Sequence, residues 1–345
     1  MINIWAFSGE NPVLDFSGEG SGVGTFGIRI TGNYWDIKGL EVKNAAGKGI
    51  RIYGSHNTIE NCITHNNNDS GLYIGLNKTD SNDGSKAAYN KVINTDSYLN
   101  LDLGGSTGDG GNADGFSCKL NPGTGNYFYG CRSWENSDDG WDLYMAQYPV
   151  TIENCYTWHN GDPNSFNYTG SKWAGNGSGF KLGGGTSYGQ HVVKNCVAFD
   201  INYGINSNHK AFDQNGSSGA LGAVSIYNCV AFNSGFGFYF AAAPTQGGNH
   251  TFKNNVAFGN KSKDINLYSG AVQANNTWNL GITASSADFV SIAVSDAKAP
   301  RNSDGSLPSN GFARLVSGSA LINKGVNVGI PYLGTAPDLG AYEKQ

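Results

Sequence analysis

The sequence predicts an all-β solenoid, a parallel β-helix of about eight coils with a carboxyl-terminal flap. Three observations carry this: two short phrases recur in alternation, the early recurrences lie about 22 residues apart, and apolar residues alternate as in strands, with no helical period. The first phrase is glycine, apolar, any residue, apolar, and begins at Gly27, Gly49, Gly71, Gly115, Gly140, Gly179, Gly204 and Gly237. The second resembles Val-x-Asn-Cys behind a polar residue and falls around Asn57, Asn90, Asn126, Val150, His191, Val224 and His250. Two to three short strands per period suit a solenoid whose coils stack about 4.8 Å apart. A seven-bladed propeller is the main rival, but its period is about 40–45 residues.

Composition agrees. Only 14% of residues are charged, and 51 glycines supply the tight turns of a many-stranded chain. Aromatics at 12% argue against disorder. A net charge of −5 gives no general attraction to nucleic acid or anionic membrane, so an acidic ligand needs local cations. No stretch reads as membrane-spanning, and no signal peptide is visible at Met1. The opening, from Trp5 to Phe16, reads as the middle of a β domain, so a secreted protein whose signal peptide and leading coils are absent from this chain is expected.

The six cysteines are Cys62, Cys118, Cys131, Cys155, Cys196 and Cys229. Four of them follow an asparagine in the second phrase, which predicts stacked buried thiols ahead of disulfides. The asparagines before them (Asn61, Asn154, Asn195 and Asn228) are expected at left-handed turns, their side chains forming a ladder to the next coil. From about Val290 the period is lost. Residues 1–290 therefore read as the helix, and 291–345 as a flap covering one end of the stack.

The chemistry concentrates between Asn112 and Tyr144. Aligning the first phrase vertically gives an outward column of Arg51, Tyr73, Ser117, Asp142, Lys181 and Asn206. The residue before the glycine places Asp114 under Asp139, with Asp138 one step back. One Asp-Gly pair is ordinary turn chemistry. Four carboxylates within roughly two coils repel unless a cation or a proton neutralises them, and an all-oxygen set suits a hard ion such as Ca²⁺. Lys181 alone reads as a solvated strand lysine; beside Asp142, after a long loop, it reads as a base. A nearby cation is expected to lower its pKa.

Other polar groups admit two readings each. Arg132 either binds substrate carboxylates or pairs with an acid of its own coil. His209 and Lys210 either bind an adjacent uronate or are solvated loop residues. Trp173 and Tyr168, with Phe166, either stack on sugar rings or anchor their loop.

The motifs Asn-Ala-Asp-Gly-Phe, Gly-Cys-Arg-Ser-Trp-x-Asn-Ser-Asp-Asp-Gly-Trp-Asp-Leu and Gly-Phe-Lys-Leu-Gly-Gly resemble polysaccharide lyase family 9, from about Glu10 to Lys263. The resemblance implies a right-handed parallel β-helix that cleaves pectate or rhamnogalacturonan I by β-elimination. It implies Ca²⁺ on Asp114, Asp138, Asp139 and Asp142, with Lys181 as the Brønsted base. A monomer acting on acidic plant cell-wall polysaccharide is expected. A glycoside hydrolase of the same fold needs only two or three carboxylates and no lysine. A non-catalytic polysaccharide-binding helix needs no acid cluster, and a purely structural ion site gives no product.

Overall fold

The computed structural model describes residues 1–345 except 21–24, 106–107, 204–208 and 217–219. Its strands form three long parallel sheets, of ten, nine and nine strands, and each coil contributes one strand to each sheet in turn. One coil, for example, runs through Thr58–Glu60, Ile63–His65 and Leu72–Ile74 before the next begins at Lys91–Ile93. Nine complete coils and a tenth lone strand, Val272–Ala274, exceed the eight expected. The ninth, ending in Lys263–Leu267, has no counterpart among the eight glycine phrases.

Strands in the middle of the stack turn one or two residues inward, and like residues stack from coil to coil. Phe116, Trp141, Phe180, Phe212 and Phe238 form an internal column with ring centroids 4.7–5.0 Å apart. All six cysteines are buried and free, as expected. The glycines of the first phrase answer a close approach between sheets. A Cβ on Gly115 would stand 2.0 Å from Ser133 Oγ, and one on Gly140 2.1 Å from Thr157 Oγ1.

The asparagines before cysteine do adopt left-handed turns, with φ from 51° to 55° at Asn61, Asn154, Asn195 and Asn228. The ladder, however, belongs to other asparagines. Asn57, Asn90 and Asn126 form one column, each Oδ1 accepting from a backbone N–H of the preceding coil. Asn67, Asn100, Asn136 and Asn160 form a second. Several left-handed asparagines instead tether the carboxyl-terminal segment: Asn195 donates to Ala341 O and Asn228 to Asp338 O.

That segment does not close the stack as a flap. It lies along the outer face of the second sheet, where Trp134, Trp158, Phe199, Phe232 and Phe258 are covered by Phe289, Phe312, Leu315 and Leu339. At the carboxyl end it is Trp278, on the short helix Thr277–Leu280, that packs against the internal Phe238, 5.4 Å between centroids.

Two histidines continue the first ladder. His191 Nδ1 accepts from Val150 N (3.2 Å) and His250 Nδ1 from Val224 N (3.0 Å), while each Nε2 is buried without a partner. Burial lowers His191 to about 3 and His250 to about 4. The unfolded chain binds these protons near 6.5, so the stability contributed by the neutral rings is complete above pH 6.5 and erodes as pH falls toward the folded values. His191→Asn supplies a non-titrating acceptor. It is expected to cut the stability lost between pH 7.5 and 5 by about 2 kcal/mol, checked by urea denaturation at both pH values.

Candidate active site

The acid cluster sits on the third sheet, where register rather than sequence proximity assembles it. Ser117 pairs with Asp142, and Asp142 with Lys181, on three adjacent coils. Gly115 N donates to Asp139 O and Gly140 N to Ser178 O, so Asp114, Asp139 and Ser178 occupy one vertical column. Carboxylate oxygens of Asp114, Asp139 and Asp142 all lie within 4.8 Å of one another. Asp138 is buried beside this trio but outside it, and its Oδ1 accepts from Asn176 N at 2.8 Å.

Two lysines reach into the cluster. Lys181 Nζ is 2.8 Å from Asp139 Oδ2 and 3.6 Å from Asp142 Oδ2. Lys119, which the sequence reading passed over, lies 2.6 Å from Asp114 Oδ2 and 2.9 Å from Asp142 Oδ2. It follows directly on the strand Phe116–Cys118, one residue past the inward cysteine, and so was not in the column drawn two residues after the glycine. Aligning that later position across the coils would have exposed it.

Backbone and hydroxyl donors fix the remaining oxygens. Asp139 Oδ1 accepts from Ser178 N (2.8 Å), Asp142 Oδ1 from Tyr144 N (2.9 Å) and Asp114 Oδ1 from Asp139 N (3.3 Å), while Ser117 Oγ donates to Asp114 Oδ2 beside Lys119 (2.6 Å). Burial, with Asp142 and Asp139 close by, pushes Asp114 up to about 7 against the pull of Lys119. Burial and Asp139 hold Asp138 well above the usual carboxylate range, and burial raises Asp139 as well. Burial also disfavours ionised Asp142, yet Lys119 and Lys181 outweigh it and lower its pKa. Lys181 feels burial and these acids together. Burial favours the free amine, but Asp139, Asp142, Asp138 and Asp114 override it and hold the ammonium well above the ordinary lysine value.

Fully ionised, the four carboxylates and two ammonium groups sum to a net charge of −2 in a largely buried cluster. The donors are all oxygen, and the residual charge is that of one divalent ion, so the buried trio fits a hard cation.

Beyond Lys181 the expected column changes. The phrase at Gly204, with Asn206, lies outside the described residues, and the strand paired with Phe180–Lys181 is Lys210–Asp213. Asp213 therefore stands next to Lys181, a buried acid the sequence reading missed because the insertion displaced the strand. Lys210 Nζ is engaged with Asp213 at 3.1 Å and lies over the Tyr239 ring; His209 Nδ1 meets Tyr203 O at 2.6 Å.

Arg132 is not at the cluster, which corrects its reading as a substrate ligand. It lies on the second sheet, buried, bidentate to Asp96 and donating to Ala297 O and Ala299 O, so it fastens the carboxyl-terminal segment to its coil. Trp173 and Tyr168 join two loops: Trp173 Nε1 donates to Gly161 O, Tyr168 OH donates to Asp109 Oδ2, and their rings meet 5.1 Å apart. That geometry satisfies the anchoring alternative for both.

Residues 1–249 match the family model of the Pel9A-like, right-handed β-helix region. The chain belongs to polysaccharide lyase family 9. Among its family 9 relatives it is 41% identical to pectate lyase L of Dickeya dadantii (strain 3937) over 347 residues, 99% of this chain and 75% of that protein. Pectate lyase L of Paenibacillus polymyxa (strain SC2) is 36% identical over 336 residues, 94% and 70% of the two chains. The crystal structure of pectate lyase Pel9A superposes with a TM-score of 0.78 at 40% identity, covering 93% of this chain and 73% of that one. A rhamnogalacturonan lyase gives 0.73 at 27% identity, covering 92% and 79%. The right-handed coil expected from the motifs is thus the family's own.

Proposed function

We propose that this family 9 protein is a Ca²⁺-dependent pectate lyase that cleaves α-1,4-linked galacturonan by β-elimination outside the cell. The observation that carries the reading is the packing of Lys181 against a buried aspartate trio on adjacent coils. Identity of 41% to a pectate lyase across almost the whole chain supports the substrate, against 27% to the rhamnogalacturonan lyase.

In this reading Asp114, Asp139 and Asp142, with Asp138 beside them, hold Ca²⁺. The bound ion supplies charge neutralisation for the uronate carboxylate, making the C5 proton more acidic. Lys181 Nζ, as the free amine, takes that proton. The C5–H electron pair becomes the C4–C5 double bond, and the C4–O bond breaks with its electrons on the glycosidic oxygen, which is protonated from solvent. The products are a new reducing end and a 4,5-unsaturated sugar. Because the acids keep Lys181 protonated, its amine is freed only where their charge is offset and the pH is alkaline.

Ultraviolet absorbance of the unsaturated product tests this directly. On polygalacturonate the rate is expected to climb above neutral pH, vanish with chelator and return with Ca²⁺. A rate indifferent to chelator overturns the proposal. A Ca²⁺-dependent rise on rhamnogalacturonan I alone replaces the substrate.

A further inference from the structure

On the amino-terminal side of the acid cluster, along the same third sheet, lies a cavity of about 510 Å³. Lys119 belongs to both: it pairs with Asp114 and Asp142 and also lines the cavity. Deeper in, Arg51 and Tyr73 form the wall, 3% and 2% exposed.

Their hydrogen bonding is incomplete. Arg51 spends one donor, Nη2 to Leu76 O at 2.7 Å, while Nε and Nη1 have no partner among the described residues. The guanidinium lies between two rings, 3.7 Å from the Tyr73 centroid and 4.4 Å from Tyr53, which orients it without satisfying its N–H groups. The Tyr73 hydroxyl is likewise buried without a partner. Orphaned donors on a buried cation are costly, and a native structure that keeps two such residues side by side calls for a ligand that accepts. Guanidinium only donates, so the ligand is an acceptor, and a planar carboxylate matches its fork.

The surrounding charge agrees. Lys48, Arg51, Lys78 and Lys119 line the cavity against Asp69 and Asp102, in a chain of net charge −5. Both acids are already engaged, Asp69 by Lys48 and Asp102 by the N–H groups of Asn112 and Ala113. Register fixes the separation: Arg51 pairs with Tyr73, Tyr73 with Ser117 and Ser117 with Asp142. Three coils put Arg51 about 14 Å from Asp142, and the Asp142–Lys181 pairing adds a fourth, about 19 Å in all; a 1,4-linked pyranose advances about as far as one coil.

We propose that Arg51 and Tyr73 form a carboxylate-binding subsite that grips a uronate of the bound polymer roughly four sugars from the bond being broken. The assignment rests on the lyase reading above for its substrate class. Two variants test it. Arg51→Met keeps bulk and removes the guanidinium; Tyr73→Phe removes only an unpartnered hydroxyl and so is expected to fold at least as stably as the parent.

Binding of hexagalacturonate is measured by calorimetry at neutral pH with chelator, and turnover of polygalacturonate with Ca²⁺. Expected are a weakening of binding and a rise in KM of about tenfold or more in Arg51→Met, a smaller rise in Tyr73→Phe, and kcat within about twofold in both. Unchanged binding and unchanged KM in folded Tyr73→Phe and Arg51→Met overturn the subsite. If Arg51→Met does not fold, unchanged binding and KM in Tyr73→Phe alone overturn it. Parent protein that binds hexagalacturonate through Arg51 yet yields no unsaturated product sinks the lyase reading and leaves the subsite standing.

Discussion

Lys181→Ala is expected to lower kcat on polygalacturonate by about 10³-fold, the scale on which a positioned proton acceptor contributes. KM should change little, because the proposed ion site and the proposed Arg51 subsite remain. The alanine variant alone is ambiguous, since it also strips Asp139 of its 2.8 Å partner inside a buried acid cluster. Lys181→Arg resolves this. Arginine keeps a cation among Asp139 and Asp142 and so preserves the charge balance, but a guanidinium does not give up its proton at any working pH. A structural ion pair tolerates that exchange and a base does not. The check is the initial rate of unsaturated product beside a thermal melt of each variant. Lys181→Arg that melts near the parent temperature yet stays at the alanine rate supports the base; Lys181→Arg with near-parental activity removes it.

How much of this was legible follows from what repeats. Short strands on a fixed period are local, so the solenoid could be read from Gly27, Gly49 and Gly71 onward, and buried cysteine columns from the phrase around them. The metal-fitting acids were legible because Asp114, Asp139 and Asp142 sit at fixed offsets from repeat glycines. Legibility failed where an insertion shifted the frame: Asp213 took the place beside Lys181 that the count gave to Asn206. It also failed where the deciding contact joins distant segments. Arg132 pairs with Asp96 and with carbonyls of Ala297 and Ala299, more than 160 residues on, and no periodicity encodes that. The ladder was assigned to the wrong asparagines because left-handed turns and cross-coil acceptors both favour this residue.

The largest expected effect on stability comes from the same charges, with opposite signs at two neighbouring aspartates. Asp142 lies between Lys119 at 2.9 Å and Lys181 at 3.6 Å, and its ionised form is favoured by the fold. Replacing it by asparagine leaves both ammonium groups short of a buried partner, a loss of about 3–5 kcal/mol for a broken buried pair. Asp138 has no lysine within ion-pairing distance among the described residues, and burial and Asp139 press it toward the neutral form. Asp138→Asn makes that neutrality permanent. In chelator at pH 8, then, Asp142→Asn should melt well below the parent and Asp138→Asn at or above it. Calcium reverses the advantage of the second variant. If Asp138 stands with the trio as a ligand, the parent gains more melting temperature on Ca²⁺ addition than either variant, because each has one carboxylate fewer to offset the ion's charge. Differential scanning calorimetry of the three proteins with chelator and with Ca²⁺ reads all of these at once. A full Ca²⁺ shift in Asp138→Asn confines the ion to Asp114, Asp139 and Asp142; a full shift in Asp142→Asn places it elsewhere.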